Sequence, residues 1–318
     1  MMRSLKDIEN QTEELCLRYV RMNGKDLQYV KNKTYEICLE AVIQNGVALM
    51  YVENQTEEMC LIAVKQYGWV LKYVKNQTEE MCLEAVKRNG SCLEYVRNKT
   101  EEIIWEAIKN DGEVLLFVEN QTEEMCLVAV KQNGYALAHV KNQTEEICMA
   151  AIRENIRALE FVKNQTEEMC IEAVKKTWIS LLHIRNQTEE ICLVAVKQHP
   201  VSLKYIKNRI EEMCIIGVRK NARTLSYVHN QTEEICLEAV KEEGYALHYV
   251  ENQTLEICIE AVKQNGYALL FVKEQTEEIC EIAINNPKFF GGSTIWNHQA
   301  RVLMIRDYDM RKRLCKYE

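Results

Sequence analysis

Proline is nearly missing from this chain, with 2 in 318 residues, and glycine is scarce at 11. With 47% hydrophobic and 28% charged residues, that scarcity excludes a disordered, linker-like polymer and points to a folded, helix-rich chain. No run of 18 apolar residues occurs, so no membrane span is expected. The opening MMRSLKDIENQT is polar and already in repeat register, which predicts no secretory leader. HExxH, a phosphate-binding loop and a Ser/His/Asp arrangement are all missing. The expectation is therefore a non-enzyme with no cofactor and no metal.

Basic excess is missing too. The net charge is −8; residues 288–318 contribute +4, leaving −12 on the rest. A nucleic-acid binder shows a basic footprint, so the body is a poor candidate.

What is present is a strict period of 22. Asn stands at 10, 32, 54, 76, 98, 120, 142, 164, 186, 208, 230 and 252, and Glu274 takes the next place. The consensus N-Q-T-E-E-M/I-C-L-x-A-V-K-Q-N-G-Y-A-L-x-Y-V-K is numbered 1 to 22 here. Thr at position 3 suits an N-cap, and Glu at 4 and 5 suits the positive end of a helix dipole. Gly at 15 reads as a left-handed stop. These signals predict helix A over positions 4–14, with 6, 7, 8, 10 and 11 inward and 5, 9 and 12 outward. A shorter helix B over 16–22 buries 17, 18 and 21, and Asn at position 1 ends it.

The predicted fold is all-α, an α-solenoid (superhelix) of about twelve two-helix repeats with terminal caps. Residues 1–9 form an N-terminal half-repeat and 10–273 the twelve repeats. Residues 274–318 form a partial repeat and a basic capping helix near 297–316. The string KNQTEE[IM]CLxAVKQNGYALxYV resembles the repeat of a poorly characterised family from mimivirus-like large DNA viruses of amoebae. That resemblance covers roughly residues 3–287, brings no catalytic residues, and implies a viral origin and an intracellular setting in the host.

Several rows tempt a chemical reading. The cysteines at position 7 sit one rung apart, about 8–10 Å, whereas a disulfide needs Cα atoms about 4.4–6.8 Å apart. They read as reduced packing thiols, and Ile104 fills the same rung. Asn-x-Thr sequons read as caps, the Glu rows as a solvated acidic edge, and the aromatic row at position 20 as packing.

Departures from the repeat are then the informative residues. Gly at position 15 fails in four consecutive repeats, at Ile156, Trp178, Pro200 and Ala222. The neighbouring Arg157, Lys176, His199, Lys220 and Arg223 make these turns locally basic. An exposed Trp178 ringed by these cations is the candidate partner-binding site. A second candidate surface is position 9, where Ile62, Val128, Val194 and Ile216 interrupt a row of Glu. The expected function is a protein–protein scaffold or adaptor in the cytoplasm. The alternatives are a virion assembly component and a nucleic-acid-binding repeat protein.

Overall fold

The computed structural model describes residues 5–286 and 302–314. These residues are helical with connecting turns, and no strand occurs among them. They fall in two compact units, Met1–Asn164 and Gln165–Glu318. Within each unit, two-helix repeats stack on their sequence neighbours as an α-solenoid.

Repeat 6 shows how sequence sets local structure. Its A-helix is Glu123–Gln132, positions 4–13. Thr122 is extended at φ −85°, ψ 158°, and its hydroxyl accepts from Met125 N at 3.2 Å. Glu123 and Glu124 lie on the positive end of the dipole. Asn133 stops the helix in an extended conformation (φ −145°, ψ 108°), one residue sooner than its position suggests. Its Oδ1 then accepts from Tyr135 N at 3.0 Å and so caps the second helix.

That second helix is a six-residue 3₁₀ turn, Gly134–His139, over positions 15–20. The expected seven-residue helix over 16–22 is therefore wrong in pitch and extent. Val140 is already extended, so the helix ends at His139, three residues before the Asn meant to end it. A six-residue link suits the 3₁₀ form, which gains more length per residue and ends readily.

Glycine at position 15 has a different cause from the one expected. Gly134 opens the 3₁₀ turn, and its backbone is not left-handed. A Cβ there would lie 2.7 Å from Ala151 O of the next repeat, and one on Gly46 would lie 2.9 Å from Ala63 Cα. Gly at 15 and Ala at 10 are thus a matched pair that lets consecutive repeats touch backbone to backbone.

The core is built from positions 6, 7, 10, 11, 17, 18 and 21. In repeat 6 these are Met125, Cys126, Ala129, Val130, Ala136, Leu137 and Val140, each at most 3% exposed. Burying a side chain the size of Leu137 contributes about 1.5–3 kcal/mol. Except at Arg18 and Glu281 in the first and last repeats, positions 8 and 9 are half-buried, which corrects the outward placement of Ile62, Val128, Val194 and Ile216. The cause is the neighbouring A-helix: Arg21 at position 12 bonds Glu40 at position 9 of the next repeat at 3.0 Å. Arg219 does the same to Glu238 at 2.6 Å.

Leu5 is buried in a short 3₁₀ turn, Leu5–Asp7, ahead of the first full repeat. At the other end the predicted continuous helix near 297–316 is not seen. Residues 303–307 are not helical, the helix is Tyr308–Leu314, and 297–301 and 315–316 lie outside the described residues. The segment instead copies a B-helix end: Gln275 Nε2 donates to Met304 O at 3.4 Å and Gln275 Oε1 accepts from Arg306 N at 2.8 Å. Val302, Ile305 and Leu314 are buried, and Arg313 lies 3.4 Å from Glu277.

Candidate functional site

Gln at position 2, unremarked in the sequence reading, is the residue that ties repeats together. Gln121 Nε2 donates to Leu115 O behind it at 3.0 Å and to His139 O ahead of it at 2.9 Å. Its Oε1 accepts from Lys141 N at 2.9 Å and from the Cys126 thiol at 3.8 Å. Gln55, Gln77, Gln143 and Gln253 make the same amide bonds. One side chain thereby satisfies three main-chain groups that a turn would otherwise leave open. Only an amide offers donor and acceptor at that reach.

The position-7 cysteines are buried and free. Burial pushes their thiols up, to about 11 for Cys60, Cys170, Cys236 and Cys280, with a nearby Glu adding to it. They stay protonated at neutral pH and donate weakly to Gln, as Cys60 does to Gln55 at 3.8 Å.

Above this floor lies a cleft between successive inter-repeat loops, and it recurs. One of about 380 Å³ is lined by Asn120, Gln121, Thr122, Glu123, Cys126, Lys141, Asn142, Thr144 and Ile147. Others, of about 360–420 Å³, hold the same positions around Asn32 and Asn54, around Asn230, and around Asn252. Most of the rim is already committed. Thr144 Oγ1 donates to Glu123 at 2.9 Å, and Thr232 to Glu211 at 2.6 Å. Lys141 Nζ donates to Glu119 O at 2.7 Å.

The position-1 asparagines are not committed. Asn54, Asn76, Asn98, Asn120, Asn142, Asn230 and Asn252 are exposed. Among the described residues their side chains make no hydrogen bond. The Glu of position 5, Glu124 or Glu146 for example, is exposed as well.

The predicted basic-turn site looks different in the structure. Trp178 is half-buried, not exposed: it lies flat on Tyr205 of the next repeat, centroids 4.6 Å apart and planes 10° from parallel. Lys204 Nζ sits 5.5 Å from the Tyr205 ring. His199, half-buried, places Nε2 3.4 Å from Lys175 O. Lys220 Nζ donates to Lys197 O. Arg223 lies 3.7 Å from Glu243. Lys176 is exposed at the end of its helix. Arg157, in the first unit, is exposed on the turn Ile156–Phe161, its N–H donating to Asn155 Oδ1 at 3.0 Å. His199, Lys220 and Arg223 each reach a different group, and none of those groups is Trp178.

These irregular repeats also carry compensations. Pro200 at position 15 has no N–H to offer the next repeat, and position 13 there is Lys220, which donates. In repeat 6 Gly134 N is held by the Glu154 carboxylate at 2.5 Å. Position 10 opposite Pro200 is Gly217, where a Cβ would come 2.2 Å from Leu203 Cδ1. Position 17 turns polar at Ser180, Ser202 and Thr224, all buried. Ser180 and Thr224 donate to the carbonyls of Thr177 and Asn221 at 2.6 and 2.7 Å, while Ser202 Oγ has no partner.

This geometry defines a tandem repeat. The chain matches the model of a domain of unknown function, DUF4116, at residues 36–78, 56–100, 78–122, 100–143 and 232–276. Each match spans about two repeats. No match covers 144–231, the stretch that holds Ile156, Trp178, Pro200 and Ala222. No curated protein and no solved structure matches the chain. No described helix is long and apolar enough to cross a membrane.

Proposed function

We propose that the chain is a non-enzymatic protein-binding scaffold that grips an extended segment of a partner along its loop edge. The observation that carries this reading is the row of exposed asparagines with no intramolecular hydrogen bond, set on recurring clefts of about 360–420 Å³. A carboxamide can pair with both the N–H and the C=O of an extended main chain, which gives affinity without reading sequence. The clefts between rungs then accept side chains, and the flanking Glu rows favour a segment rich in Lys and Arg. The Gln, Thr and Lys side chains of this edge hold neighbouring repeats, which leaves the Asn carboxamides for a partner. The setting, the interior of a virus-infected cell, rests on the family resemblance alone.

The test replaces Asn98, Asn120 and Asn142 together with Ala. The expected outcome is an unchanged circular dichroism spectrum and melting temperature, with loss of binding to a Lys/Arg-rich extended peptide that the unaltered chain retains. Equal retention of that peptide by both chains would refute the reading.

A further inference from the structure

In the first unit, one lysine is surrounded by rings. Lys72 Nζ lies 4.8 Å from the centroid of Trp69, 4.9 Å from Tyr73 and 5.9 Å from Tyr95. All three distances are within the range in which a cation is drawn to an aromatic face. Trp69 and Tyr73 stand nearly at right angles, 72°, with centroids 6.2 Å apart, so they form two walls. Tyr67 leans on Trp69 at 6.1 Å and steadies it. The negative charge of the neighbouring Glu94 carboxylate raises the pKa of the Tyr95 hydroxyl, so an anion stands close to the third wall. Trp69 remains 37% exposed, so the rings are open to solvent.

Lys204 in the second unit makes the comparison. Among the described residues it sits over Tyr205 alone, at 5.5 Å, and Tyr205 is covered by Trp178 in a near-parallel stack. Parallel rings leave no box. Perpendicular ones do.

We propose that Trp69, Tyr73 and Tyr95, with Glu94, form a cation cage for the alkylated ammonium group of a methylated lysine on a partner polypeptide, and that Lys72 occupies it in its absence. The Lys72 ammonium marks where the incoming charge sits. A trimethylated ammonium sheds less water than a bare one and presents more surface to three rings, so it displaces Lys72. None of these residues lines the clefts described above, and the site does not depend on the asparagines.

The experiment titrates the full chain with N-acetyl-trimethyl-lysine amide and follows the Trp69 indole N–H resonance, assigned by its disappearance in Trp69→Leu. The uncharged carbon isostere, with a tert-butyl group in place of trimethylammonium, serves as control. The trimethyl-lysine probe should bind Lys72→Ala about threefold or more tighter than the unaltered chain, because the internal competitor is gone. It should bind Tyr95→Leu more weakly, and the isostere should bind none of them comparably. Equal affinity with and without Lys72, equal binding of the isostere, or no binding to Lys72→Ala would each overturn the proposal.

Discussion

Repeat 6 (Asn120–Lys141) and repeat 10 (Asn208–His229) have the same outline and different means of holding it. Repeat 6 has Gln121 as its clamp, Thr122 as its cap, Ala129 at the close approach and Gly134 at the turn. Repeat 10 has Arg209, Ile210, Gly217 and Ala222 in those places. Arg209 donates to Leu203 O at 2.7 Å and Lys204 O at 3.3 Å but has no acceptor to offer, and Ile210 gives its helix no side-chain cap. Both A-helices still span ten residues and both B-turns six. Buried positions 6, 7, 11, 18 and 21 stay apolar in both. The apolar rows therefore specify the fold, while caps and clamps add increments that single repeats can lose.

The largest effect should ignore this contrast, because the thiol row runs through regular and irregular repeats alike. Cysteines such as Cys60 and Cys236 move from 9.0 to about 11 on burial. A group raised in the folded state contributes stability that is complete below its unfolded pKa and lost as pH rises through the folded one. Denaturant midpoints should hold up to about pH 9 and fall steeply towards pH 11. A Cys60→Val, Cys236→Val chain should fall less steeply; an identical pH profile would break the assignment.

Next comes the turn. Gly134→Val should cost about 3 kcal/mol or more, because the added carbons meet the Ala151 backbone. Ala222→Gly, at the same position of the irregular repeat, should cost only about 1 kcal/mol. Urea melts that rank these two the other way would contradict the Gly–Ala pairing. The caps give a smaller, opposite pair: Thr122→Ala should lose about 1 kcal/mol and Ile210→Thr should gain a similar amount. The smallest is Ser202→Ala, which removes a buried hydroxyl with no partner and should raise stability by about 0.5–1 kcal/mol. A loss there would show that the hydroxyl is satisfied in solution.

Much of this was legible in the residues. The period of 22, Thr122 as a cap and the buried cysteine row follow from side-chain chemistry at fixed spacing. The pitch of the second helix did not, since L-x-Y-V at positions 18–21 fits either helix type over one turn. Gly134 misled because a helix-ending glycine is most often a backbone requirement; here the need comes from the next repeat, which no local pattern reveals. Gln121 was overlooked because its partners lie 6 residues behind and 18 ahead in sequence. Trp178 looked like an exposed anchor because Tyr205, its stacking partner, was read only as part of its own row.

Two adjacent residues differ in role in every regular repeat: the glutamine holds the fold, and the asparagine beside it faces outward. Thermal unfolding of Gln121→Ala against Asn120→Ala tests that division directly. The glutamine variant should melt about 4 °C or more lower and the asparagine variant within about 1 °C of the unaltered chain. An asparagine variant that melts as early as its neighbour would contradict it.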